Sequence, residues 1–198
     1  MRLRVYILLF LSIVLQITPA AAQSKSDSEI GREYQIKAAF VYNFIKFVDW
    51  PQDKTEGQNE PIMIGIIGKD PFGGAFEPIT SKQIKGKKSL ISRFESFKQL
   101  KESSEADKSK IESLRKCHLL FICSSEKENL TDIIRLVNKY NVLTVGDMPG
   151  VLESGGIINF LVRENKVHFE INLVAARQSN LKIRSQLLRL ATKVIDEK

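Results

Sequence analysis

The sequence predicts an α/β fold: a three-layer sandwich with a mostly parallel central sheet, a C-terminal antiparallel hairpin and flanking helices. Three observations predict it. A continuous apolar run over residues 62–68 has the composition of a strand buried on both faces, and residues 118–123 and 142–145 read as two further strands. Helical stretches alternate with them, and such crossovers set parallel strands side by side. Two extended runs near the end, residues 157–162 and 167–175, are separated only by Arg163-Glu164-Asn165-Lys166 and read as a hairpin.

The chain opens on a different pattern. Arg2 and Arg4 precede an apolar run over residues 5–17 that only Ser12 and Gln16 interrupt. Ala20-Ala21-Ala22 then offers small residues for a cut before Gln23, the pattern of a cleaved secretory signal peptide. Its apolar core of about 13 residues is short of the ~20 that a spanning helix needs. Nothing after Ile17 is apolar and long enough to span a bilayer, so no stable membrane insertion of the mature chain is expected. The expected organisation is a signal peptide over 1–22, a flexible leader over 23–32 and a single domain over 33–198.

The formal charge of +7 falls to +5 when Arg2 and Arg4 leave with the signal segment. In a cytoplasmic protein that balance would suggest nucleic acid. For an exported chain no nucleic-acid partner is expected, and anionic lipid, peptidoglycan or an acidic protein face fits better. Cys117 and Cys123 flank one strand candidate. Six residues of strand span roughly 20 Å, whereas a disulfide needs Cα atoms within about 7 Å. Two buried thiols are expected, with a bridge from Cys123 to another chain as the alternative.

Within the domain, Ile36, Phe40, Phe44, Phe47 and Val48 recur at helical spacing from Tyr34 onward, widened by Val41 and Ile45. Trp50-Pro51 closes that helix. A polar linker over 52–60 precedes the first strand. Asp70-Pro71-Phe72-Gly73-Gly74 reads as a turn into a short helix, and residues 88–94 as a weaker strand. Residues 98–110 read as an exposed helix or mobile connection. Ser125 and Glu128 fit a capping box before the helix of Leu130, Ile133, Ile134 and Val137. Leu187, Leu188, Ala191, Val194 and Ile195 read as a last amphipathic helix starting from Asn180.

Gly68 and Asp70 follow one strand, and Asp147 follows another, at what becomes the carboxyl edge of the sheet. Ligands of open α/β sheets bind there, which makes these residues the binding candidates, with loop capping as the alternative. Gly155 and Gly156 join them, because a glycine turn can present backbone N–H groups to a ligand or partner. Phe44, Phe47 and Trp50 are the interaction-face candidates on the first helix, each also suited to core packing. Catalysis has little support. His118 lies in a strand with its neighbour Cys117 facing away, and His168 has only Glu170 on its face. No nucleophile elbow, zinc-protease or phosphate-loop spacing occurs. No catalytic residue, metal or cofactor is expected.

Taken in order, the segments resemble a known family. Residues 34–51, from Tyr34-Gln35-Ile36 to Asp49-Trp50-Pro51, are similar to the opening helix of the YfiR-like family of exported bacterial proteins. Gly65-Ile66-Ile67-Gly68-Lys69-Asp70-Pro71-Phe72-Gly73, Cys117-His118-Leu119-Leu120-Phe121-Ile122, Thr144-Val145-Gly146-Asp147, Gly155-Gly156-Ile157-Ile158-Asn159-Phe160 and Phe169-Glu170-Ile171-Asn172 follow. The ordered set is specific and spans residues 33–195. It implies a periplasmic regulator, not an enzyme. Its implied partner is the periplasmic region of an inner-membrane signalling protein, a diguanylate cyclase, which it restrains, lowering cyclic-di-GMP and biofilm formation. A homodimer is also implied, since members can dimerise, and a small-ligand-binding sensory module is the alternative. Two cysteines cannot form the two-bridge brace found in some members. Val151 and Arg184 stand where the family pattern has an aromatic and a small polar residue, marking places where a partner face can differ.

Overall fold

The structure is a computed structural model, and it describes residues 20–51, 60–102 and 105–196. The expected signal segment up to residue 19 and the linker over 52–59 lie outside the described residues. Helix α1 (Ala20–Phe47) is followed by β1 (Val48–Asp49), β2 (Ile62–Ile67), the one-turn α2 (Glu77–Thr80), β3 (Ser89–Phe94), α3 (Phe97–Glu102), α4 (Glu105–Lys116) and β4 (Leu119–Ile122). A 3-10 helix over Ser124–Asn129 leads into α5 (Leu130–Val137) and β5 (Leu143–Gly146). Then come β6 (Ile158–Arg163), β7 (Lys166–Asn172), α6 (Leu173–Gln178), β8 (Lys182–Ile183), α7 (Ser185–Leu188) and β9 (Lys193–Ile195). The chain divides into two units, residues 1–32 and 33–198. The sheet and the candidate site belong to the second.

Among the described residues, seven strands form one sheet in the order β3-β2-β4-β5-β6-β7-β9. All neighbours are parallel except the β6–β7 hairpin. The sheet is mostly parallel because helical crossovers link its central strands, and both faces are then covered. Strand β4 shows the consequence residue by residue. Leu119 and Phe121 enter the core that contains Phe44, Ile64, Ile66, Phe160 and Phe169 from the first helix and neighbouring strands. Leu120 and Ile122 enter the opposite core with Leu100, Leu114, Ile133 and Val137 from α3, α4 and α5. Helix, sheet and helices make three layers, as the apolar runs predict.

Cys117 and Cys123 are both buried and are not joined in a disulfide. Burial first, then the negative charges of Asp147, Asp70 and Glu126, push the Cys123 thiol up to about 12. His118 is also buried, and its Nδ1 accepts from the Met63 amide at 3.1 Å. That bond ties the start of β4 to β2, so this histidine is part of the core.

Several expected elements differ. The Ser125–Glu128 capping box does not form. The Ser125 hydroxyl accepts from the Lys69 amide at 2.9 Å, and the buried neighbour Glu126 carries the carboxylate role. Its Oε2 accepts from the Phe97 amide at 3.1 Å and from Asn129 Nδ2 at 3.0 Å. A carboxylate at the first residue of α3 meets the free amides of that helix. The second hairpin arm stops at Asn172, whose side chain accepts from the Ala175 amide at 3.0 Å and starts α6. The last amphipathic stretch is not one helix: it folds as β8, α7 and β9. Strand β9 pairs parallel with β7, supplying partners for an edge that would otherwise stay open. Val151 is fully buried, so its departure from the family pattern is a packing change, not a surface one.

Candidate ligand site at the carboxyl edge of the sheet

Strand β6 pairs with β5 only at Ile158 and Asn159 and then runs on to Arg163. The β6–β7 hairpin therefore projects past the end of β5, and a corner opens beyond Gly146. A cavity of about 580 Å³ occupies it. The loop after β5, the first turns of the described domain and the hairpin supply its walls.

Asp147, the first residue after β5, lines this cavity. Helix α1 brings Tyr34 and Lys37 to it, three residues apart and so on one helix face. The Lys37 ammonium lies 2.7 Å from Asp147 Oδ2 and 2.5 Å from Glu33 Oε1. The Tyr34 hydroxyl donates to the same Asp147 oxygen at 2.8 Å, and Lys37 Nζ sits 4.3 Å from the centre of the Tyr34 ring. The Lys37 and Asp147 side chains are each only 4% exposed. Burial, followed by the charge of Asp147 and its hydrogen bond, holds the Tyr34 hydroxyl protonated well above its ordinary value of 10.0.

Sheet register aligns Gly146 with Asn159 and Asn159 with Glu170. Asn159 and Glu170 thus reach the cavity from two adjacent strands, while Phe160 and Leu152 add apolar wall. Among the described residues, two that line the cavity carry a buried oxygen without a hydrogen-bond partner: Asp147 Oδ1 and Asn159 Oδ1. The arrangement is one of binding groups: a buried carboxylate neutralised on one oxygen only, beside a second free acceptor.

The family model described as YfiR/HmsC-like matches residues 34–192. The chain belongs to the YfiR/HmsC-like family. Comparison with curated proteins gives no match. Among solved structures, the ABC domain from Streptococcus pneumonia in complex with L-Trp is 11% identical with a TM-score of 0.50, covering 67% of this chain and 55% of that one. A conserved domain protein from Vibrio cholerae is 13% identical with a TM-score of 0.47, covering 67% of this chain and 54% of that one. The chain spans about half the length of these structures, and at such identity the likeness to the former is one of fold.

In this YfiR/HmsC-like domain the sequence candidates are dispersed. Asp147 lines the cavity, whereas Gly68, Asp70, Gly155 and Gly156 are not among its lining residues. Asp70 caps its own turn, accepting from the Phe72 amide at 2.7 Å and from Arg93 Nε at 2.6 Å. Gly68 has φ +93°, and a Cβ there would stand 2.5 Å from Ser125 Oγ and 2.8 Å from Glu126 Cγ. Gly68→Ala is expected to cost about 1–3 kcal/mol from backbone strain alone, read as a lower urea midpoint at unchanged slope. At Gly156 a Cβ would meet the Val151 carbonyl oxygen at 2.7 Å.

Phe44 is fully buried, and Trp50 donates its indole N–H to the Asn141 carbonyl at 3.0 Å; Phe47 stays partly accessible. Lys37, Tyr34 and Asn159 were not legible as site residues. The Glu33/Lys37 spacing of four was the available sign, since it marks an ion pair on one helix face.

The second departure from the family pattern, Arg184, is exposed and pairs with Asp49 through Nε at 3.0 Å and Nη2 at 2.7 Å. The Arg184 hydrogen bond, helped by Lys85, holds the Asp49 carboxyl below its ordinary 3.8. A depressed carboxylate contributes stability above its unfolded value and loses it as pH falls through the folded one. Arg184→Ala is expected to raise the Asp49 titration midpoint in a carboxyl NMR titration and to lower the urea midpoint at pH 7 only slightly, because the pair is exposed.

Proposed function

We propose that this protein is an exported periplasmic regulator without catalytic activity of its own. It binds the periplasmic region of an inner-membrane signalling protein of the diguanylate cyclase type, restrains it, and so lowers cyclic-di-GMP and biofilm formation. The observation that carries this reading is the family match over residues 34–192, which runs from the first turns of the domain to the approach of β9. The N-terminal pattern supports export: Arg2 and Arg4, the apolar run and the Ala20-Ala21-Ala22 site. On this reading the mature chain starts at Gln23, and Phe47, the aromatic candidate left partly accessible, is a position for partner contact.

Deleting the gene should raise cellular cyclic-di-GMP, and supplying the wild-type copy should restore it. Levels that stay unchanged across growth conditions would overturn repression. A second reading, a small-ligand sensory module, is favoured by the cavity beyond β5 with its two unpartnered oxygens.

A further inference from the structure

The cavity beyond β5 carries a charge that the rest of the chain does not. Its walls include four carboxylates, Glu33, Asp147, Glu153 and Glu170, against two cations, Lys37 and Arg163. This excess of negative charge sits on a protein whose formal charge is +7. Lys37 is shared between Glu33 and Asp147, so one ammonium faces two carboxylates. Arg163 stands 3.7 Å from Glu170 and is mostly exposed, a weak neutraliser.

The second observation is independent of charge. Asp147 Oδ1 and Asn159 Oδ1 are both buried and unpartnered, and Asn159 is 6% exposed. A buried acceptor without a donor is a costly arrangement. What these groups lack is N–H donors, and what the cavity lacks is positive charge. One chemical group supplies both.

We propose that the cavity binds an alkylammonium or alkylguanidinium group, with its N–H donors shared between Asp147 Oδ1 and Asn159 Oδ1 and its positive charge set against Glu170 and Glu153. Phe160 and Leu152 give the aliphatic stem an apolar wall, and the volume lies within the range of small-molecule sites. The proposal rests on the ligand-binding reading of the cavity and not on repression of a cyclase. The same group can arrive as a free small amine or as a basic side chain presented by a partner.

Isothermal titration calorimetry on the mature chain tests this with agmatine, with tetramethylammonium, which has the charge but no N–H donor, and with the capped peptide acetyl-Gly-Arg-Gly-amide. Saturable binding of agmatine or the peptide at one site, with at least about tenfold weaker binding of tetramethylammonium, is expected from the value of charge-assisted hydrogen bonds. Tighter agmatine points to a free amine, and a tighter peptide points to a partner side chain. Asn159→Leu and Glu170→Gln should each weaken the preferred probe severalfold, with circular dichroism confirming that both variants fold. Absence of heat up to about 10 mM of both donor probes, equal binding of tetramethylammonium, or unchanged affinity in both folded variants would overturn the proposal. None of these outcomes bears on the cyclic-di-GMP level of the deletion strain, so the two readings fail separately.

Discussion

Phe44→Ala is expected to cost about 3–5 kcal/mol, the loss typical of deleting a large aromatic from a packed core. The ring is 0% exposed, and its surroundings leave little room for collapse. It stacks on Phe160 at 5.4 Å between centres, meets Phe169 edge-on at 5.0 Å and lies 6.1 Å from Phe40. Phe160 and Phe169 sit on β6 and β7, so the ring joins α1 to the hairpin half of the sheet. At roughly 2–4 °C per kcal/mol for a domain of this size, the melting temperature should fall by about 6–20 °C. Phe47→Ala, next to β1 and only partly buried, should cost about 1 kcal/mol by lost apolar area. Urea unfolding of both variants checks the contrast. Equal midpoints would contradict the burial difference on which the aromatic assignments rest.

The central strands were legible because a strand buried on both faces is apolar at nearly every position. Leu119, Leu120, Phe121 and Ile122 alternate between two cores, so no polar residue can break the run. The helix of Leu130, Ile133, Ile134 and Val137 was legible for the matching reason, since it packs one stripe against one face. The C-terminal stretch was misread because its apolar residues answer to different surfaces. Leu187 belongs to the one-turn α7 and is buried in the core beneath α1, while Val194 and Ile195 belong to an edge strand whose pairing with β7 is a matter of backbone amides. Backbone pairing leaves no side-chain period to read.

The site divides along the same line. Asp147 was legible because carboxyl-edge position follows from strand order, and strand order follows from the apolar runs. Lys37 and Tyr34 were not, because they lie 110 and 113 residues away in the chain. Only the packing of α1 over the sheet brings them to Asp147. Asn159 was hidden differently: its register opposite Gly146 places it at the corner, and register is not written in composition. The family resemblance adds what neither pattern holds, the regulatory role proposed above. The bare geometry adds what the resemblance does not, a buried acceptor pair at an acidic cavity on a basic chain.

That geometry makes Lys37→Met the second large effect expected. Removing one partner of a buried ion pair leaves the other charge without compensation, at a cost of about 3–5 kcal/mol. Asp147 would lose the ammonium at 2.7 Å and keep only the Tyr34 hydroxyl on the same oxygen. Glu33 suffers less, because its side chain is 29% exposed and reaches water. Replacing both partners, Lys37→Met with Asp147→Leu, should cost clearly less than the sum of the single losses, since no buried charge is then stranded. The exposed Lys101–Asp132 pair at 2.9 Å is the control: it has similar length but lies in solvent, and Lys101→Met should leave the urea midpoint unchanged within error. A double-mutant cycle read by urea unfolding separates these cases. Additive losses at Lys37 and Asp147 would show that the pair is solvated after all, and the corner beyond β5 would then be a wet groove instead of a low-dielectric site able to hold a cation.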